Sequence, residues 1–158
     1  MTTFDTNDPE NENDPENEWI TGGVQRAAGT LPLETLIAAL DHPREDIRWR
    51  AAVALGWRGE SQAVSALVAR LDSARYDMKL NIVWALGQIG DRQAIDPLLT
   101  IMRQQNPRDP DIAYVAALAL LRSGALEAVQ HELDAAGETV YRVAHAALAS
   151  AGYLEMQR

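Results

Sequence analysis

The feature that most limits what this chain can become is its likeness to itself at a spacing of 31 residues. Ala54-Leu55-Gly56-Trp57-Arg58-Gly59 returns as Ala85-Leu86-Gly87-Gln88-Ile89-Gly90, and Ala63-Val64-Ser65-Ala66-Leu67 returns as Ala94-Ile95-Asp96-Pro97-Leu98. Upstream, Leu36-Ile37-Ala38-Ala39-Leu40-Asp41 precedes Leu67-Val68-Ala69-Arg70-Leu71-Asp72 by the same interval. Ala119-Leu120 with Gly124, and Ala147-Leu148 with Gly152, carry the series on at shifts of 34 and 28. Self-similarity at a period of roughly 20 to 50 residues marks a solenoid, because one unit cannot bury its apolar stripe alone and must stack on its neighbours.

Each unit reads as two helices. The first is alanine-rich, with apolar residues at helical spacing in Ile47, Ala51, Ala54 and Leu55, and stops where Gly59 or Gly90 can take the left-handed conformation. The second starts behind a capping oxygen, Ser61 or Asp91, and runs through Leu67 and Leu71 or their equivalents. Asp41 ahead of Pro43, and Asp109 ahead of Pro110, give the same start signal to two of the first helices. Nothing alternates with period two over a strand's length, so the chain is all-α. The expected helices are 32–41, 44–57, 61–72, 76–89, 92–105, 111–123, 125–136 and 138–151, with a weaker one at 19–28. The 140 residues after residue 18 hold about four to five such pairs.

Residues 1–18 stand apart as a first segment, with the solenoid at 19–158. Asn7-Asp8-Pro9-Glu10-Asn11-Glu12 is duplicated as residues 13–18, and the segment carries seven acids and no base. It has too little apolar surface to offset the entropy of ordering, so a disordered acidic tail is expected, with cation capture or docking to a basic partner as its possible uses. The tail accounts for most of the net charge of −9, leaving 16 acids against 14 bases on the body. Those bases are scattered and balanced, whereas a nucleic-acid binder concentrates them, so no nucleic-acid partner is expected. The chain has no cysteine, which closes thiol chemistry and thiolate metal sites. With no leader-like start and no long apolar run, a cytoplasmic protein without membrane partner is expected.

In Ile47-Arg48 through Gly56, Gly59, Ala63 and Val64, and again in Met78-Lys79 through Gly87, Gly90, Ala94 and Ile95, an apolar residue and a base precede Ala-rich and Gly-x-x-Gly stretches. This pattern resembles the HEAT-like repeat of the phycobilisome-lyase type, over roughly residues 32–152. In the third unit Ala113 replaces the base and Leu121 the first glycine; in the fourth, Tyr141 and Ala149 do so, as suits a C-terminal cap. The resemblance implies a right-handed α-solenoid with a ligand-binding surface on one face. It implies roles from bilin lyase subunits and phycobilisome-degradation adaptors to assembly chaperones and scaffolds.

Projected at about 100° per residue from Ile47, the core stripe lies within about 80° of zero, while Trp49 falls near 200° and Val53 near 240°. The equivalent positions are Leu80 and Trp84 in the second unit and Tyr114 and Leu118 in the third. Stacked, they form the rungs Trp49/Leu80/Tyr114 and Val53/Trp84/Leu118. Trp57/Gln88/Arg122 follow at the helix ends, and Arg50/Asn81/Val115 lie alongside. Six large apolar groups in register exceed scattered exposure, and Trp, Tyr and Arg dominate binding hot spots. The expected partner site is therefore Trp49, Arg50, Val53, Trp57, Leu80, Asn81, Trp84, Gln88, Tyr114, Leu118 and Arg122. Coverage of the stripe by a neighbouring helix, a homodimer mate or the segment around Trp19 is the competing reading.

Catalytic sets are sparse. His42, His131 and His145 are too few for the four His-Glu pairs of HEAT-like di-iron hydroxylases, and each reads better as a cap, surface residue or cavity filler. The Gly-x-x-Gly pairs follow helices, so they are not phosphate loops. No cofactor, metal or catalytic residue is expected. The chain reads as a non-catalytic scaffold or adaptor for a protein or peptide; the alternative is a bilin lyase or chromophore-handling subunit, in which arginines would pair with propionates.

Overall fold

The computed structural model describes residues 23–104, 110–135 and 138–152. The acidic segment, Trp19 and Asp109 lie outside them. The helices are α1 (Gly23–Thr30), α2 (Leu33–Ala38), α3 (Glu45–Arg58), α4 (Val64–Val68), α5 (Tyr76–Ile89), α6 (Ile95–Arg103), α7 (Pro110–Arg122), α8 (Leu126–Ala135) and α9 (Glu138–Ser150). A 3₁₀ turn at Ala39–Asp41 extends α2, and others at Ser61–Ala63 and Arg92–Ala94 lead into α4 and α6. No strand occurs among the described residues.

Odd-numbered helices pack on one another in chain order, α1 on α3, α3 on α5, α5 on α7 and α7 on α9. Even-numbered helices pack against them as a second layer. Between the layers lies one apolar core, in which Ile47, Ala51, Ala54 and Leu55 of α3 are buried with Ile82, Ala85 and Leu86 of α5. The two-layer solenoid expected from the 31-residue interval is thus the observed architecture.

The buried arc of each odd helix is wider than the expected stripe. Ala52 and Gly56 of α3, near 140° and 180° on the same projection, are also buried. The cause is the next odd helix, which packs directly against them. A Cβ placed on Gly56 would stand 2.8 Å from Cζ3 of Trp84 and 2.9 Å from Cα of Ala85. On Gly87 it would meet Cβ and Cα of Ala119 at 2.7 and 2.9 Å. In these two repeats the first glycine is therefore the point where backbones touch.

The second glycines end the helices. Gly59 and Gly90 have φ of 71° and 69°, in the left-handed region that penalises a Cβ. Their N–H groups donate to Leu55 O at 3.1 Å and Leu86 O at 2.9 Å. Of the expected caps, Asp91 holds: its carboxylate accepts the Gln93 N–H at 2.8 Å. Ser61 does not cap its helix; it lies inside the 3₁₀ turn, and its hydroxyl helps lower the Asp91 pKa, behind the Gln93 N–H. Asp41 does not start α3 either. Its carboxylate takes the Arg70 guanidinium, with Arg70 Nε at 2.9 Å, and His42 Nδ1 instead accepts the Arg44 N–H at 3.1 Å. Pro110 does open α7. The expected helix 61–72 tightens after Val68, where Arg70 N–H and Leu71 N–H bond three residues back, at 3.1 Å each.

Polar links tie successive units. Arg70 pairs with Asp41, Arg75 Nη2 with Glu45 at 2.8 Å, and Arg103 with Glu132, while Tyr76 Oη donates to Asp111 at 3.4 Å. The fourth unit departs from the stacking register. Tyr114, near the start of α7, bonds Ser150 at the end of α9 (2.8 Å), 36 residues on, whereas the repeat pairs Ala119 with Ala147 at 28. Where the earlier units have glycine, α7 has a buried Leu121, which bars the same backbone approach.

Candidate functional face

The expected face is built from the outer sides of α3, α5 and α7, which the packing order places side by side. None of its eleven residues is fully buried. Trp49, Arg50, Val53, Leu80, Asn81, Trp84, Gln88, Tyr114 and Leu118 are half-buried, while Trp57 and Arg122 are exposed. Half-burial follows from the widened arc. Trp49 and Trp84 sit next to the glycine contacts rather than at the centre of the solvent side, so they share their surface with the adjoining helix. Trp57 projects near 280°, at that centre, and is 53% exposed.

Four of the residues form one connected cluster. The Trp57 and Trp84 rings meet edge-on, centroids 5.8 Å apart and planes at 64°, a geometry favoured by ring quadrupoles. In the amide orientation that gives both its groups partners, Gln88 Oε1 accepts from Trp84 Nε1 at 3.3 Å and Arg122 Nη1 at 2.5 Å. An exposed indole thus stands on a polar bracket that spans α5 and α7. A second element lies at the other end of α3, where the Arg50 guanidinium stacks over the Trp49 ring at 5.4 Å. Asn81 is turned to its own helix, donating to Asp77 O at 2.8 Å. Leu80, Tyr114, Val115 and Leu118 pack partly on the core.

Two exposed groups on α9 were missed by sequence reasoning. Tyr141 is 45% exposed and stacks on His145, centroids 5.7 Å apart. The Tyr114–Ser150 bond joins α9 to the face. No rung predicted this, because the fourth unit leaves the repeat register on which the rungs were drawn.

Away from the face, one buried carboxylate has a structural partner. Glu132, 4% exposed, receives Arg103 Nε at 3.0 Å. That hydrogen bond holds its carboxyl below the usual range, against the upward push of burial. The neighbouring His131 is exposed, while Glu132 is engaged by Arg103. Among the described residues no group of His, Asp or Glu is placed to hold a metal ion, and no helix is long and apolar enough to cross a membrane.

A two-layer stack of repeated helix pairs defines a helical-repeat protein. The family model for HEAT repeats matches residues 23–78 and again 66–152, and the chain belongs to that family. A search of curated proteins returns no significant match.

Proposed function

We propose that this HEAT-repeat chain is a non-catalytic interaction module that binds a partner protein or peptide across α3, α5 and α7. The observation that carries the reading is the Trp57–Trp84–Gln88–Arg122 cluster. A large, rigid ring is held out to solvent at 53% exposure by groups that fix its orientation. Burying such a ring contributes area at little conformational cost, and an adjacent arginine adds directional hydrogen bonding.

Trp57→Ala tests this. The ring is mostly solvated, so folding stability should fall by less than about 1 kcal/mol, while capture of the partner from the native host should fall at least tenfold. Unchanged capture would sink the face as the site. The finer resemblance to the phycobilisome-lyase type gives the same face a second occupant, a bilin whose propionates Arg50 or Arg122 would pair. Titrating a free bilin separates the two: a red-shifted band lost in Trp57→Ala favours the chromophore, and an unchanged spectrum favours the protein partner.

A further inference from the structure

A second surface lies away from the aromatic face, at the helix ends opposite Gly59 and Gly90. There the turn after α2 and the turn before α5 enclose a cleft of about 390 Å³, whose wall includes Arg48, Arg70 and Arg75 with Asp41 and Glu45. Arg70 is paired with Asp41 and Arg75 with Glu45, so both carboxylates are spent. Arg48 is different. Its Nη1 donates to the carbonyls of His42 and Pro43, at 2.8 Å each, which fixes the guanidinium without neutralising it. Among the described residues, its Nε and Nη2 have no acceptor. The cleft therefore carries a net positive charge centred on a pre-oriented fork, the geometry that receives a carboxylate in bidentate fashion.

The chain itself supplies acids. Residues 7–18 hold six of the seven N-terminal carboxylates and no base. Leu31, one residue past α1, accepts Arg58 from the C-terminal end of α3. Because α1 packs on α3, its start at Gly23 lies back toward the cleft end. The five steps from residue 18 to Gly23 reach up to about 17 Å, enough to cross a neighbouring helix of about 10 Å diameter. Tethering raises the effective concentration of the acids at the cleft to about the millimolar range.

We propose that the Arg48 cleft is a carboxylate-binding site whose occupant is this chain's own acidic segment, residues 7–18. The absence of cysteine makes the test specific. A nitroxide attached to Asn11→Cys in the full-length protein should broaden the amide resonances of Ser73, Ala74 and Met78 at the cleft more strongly than those of Trp57 or Arg122 at the far helix ends. Raising salt to about 0.5 M, which shrinks the Debye length to a few ångströms, should reverse the broadening. So should neutralising the segment at all six acids (Asp8→Asn, Glu10→Gln, Glu12→Gln, Asp14→Asn, Glu16→Gln and Glu18→Gln). Arg48→Gln should do the same, with amide dispersion reporting that it remains folded. Broadening that is absent, centred on another surface, or retained by the neutralised segment would overturn the proposal. In a mixture of spin-labelled unenriched chains with unlabelled ¹⁵N-enriched chains, broadening at the cleft would assign the occupant to a second copy and overturn the intramolecular reading.

Discussion

At Gly87 two single-residue effects oppose each other, and their magnitudes decide the outcome. Glycine inside a helix costs about 1 kcal/mol relative to alanine, so propensity alone makes Gly87→Ala stabilising. The added Cβ, however, would lie 2.7 Å from Ala119 Cβ and 2.9 Å from Ala119 Cα. A helix backbone cannot swing aside as a flexible side chain does, and overpacking of this kind costs about 1–3 kcal/mol. The expected result in urea melts is a net loss of up to about 2 kcal/mol, whereas a gain would mean that α5 and α7 are not in backbone contact. Gly90→Val isolates a different cause. At φ 69° a β-branched side chain is strained by about 1–3 kcal/mol, and that loss should appear although Gly90 is not in the core. Stability equal to the parent's would remove the left-handed cap.

Between elements, the Arg103–Glu132 link joins α6 to α8 across one repeat. Because Arg103 depresses the Glu132 pKa in the folded chain, this contribution is fully present above the ordinary glutamate value of about 4.3 and is lost as pH falls through the lowered value. Glu132→Gln should therefore cost about 1–3 kcal/mol at pH 7 and flatten the acid limb of the stability profile. A parallel downward shift of the profile, with its slope intact, would show that other carboxylates carry the acid sensitivity. Helix order and the glycine-terminated ends of α3 and α5 were legible in the sequence because glycine and the Ala-Leu-Gly spacing act locally, whereas the starts expected at Asp41 and Ser61 were not. The depth of the face was not, because a helical wheel treats each helix alone. In the sequence Gly56 is only a repeat position, and it is the neighbouring Trp84 and Ala85 that show how it widens the buried arc. For the same reason Trp49 and Trp84 come out half-buried, and Trp57 becomes the exposed anchor. The salt bridges of Asp41 and Glu132 were hidden too, since their partners lie 29 residues away and only the fold sets them side by side.

Across the whole molecule, stability should be graded along the stack. In a solenoid each unit contacts only its neighbours, so an end unit has one stacking interface where a central unit has two. Here α5 packs against both α3 and α7, with glycine at each of those contacts. By contrast the packing of α9 among the described residues is chiefly on α7 and α8, with Leu121 at the place where a glycine would let it close. Local opening of α9 therefore exposes less apolar area than opening of α5, and it leaves the α3–α5–α7 face standing. Native-state hydrogen exchange should show Ala144, Ala147 and Leu148 opening at free energies below those of Ile82, Val83 and Leu86, which open only with global unfolding. The difference should narrow as denaturant brings global unfolding into play. Equal protection in α9 and α5 at zero denaturant would mean that the last unit is locked to the rest as firmly as the centre is, and that the loss of register at Tyr114–Ser150 carries no energetic consequence.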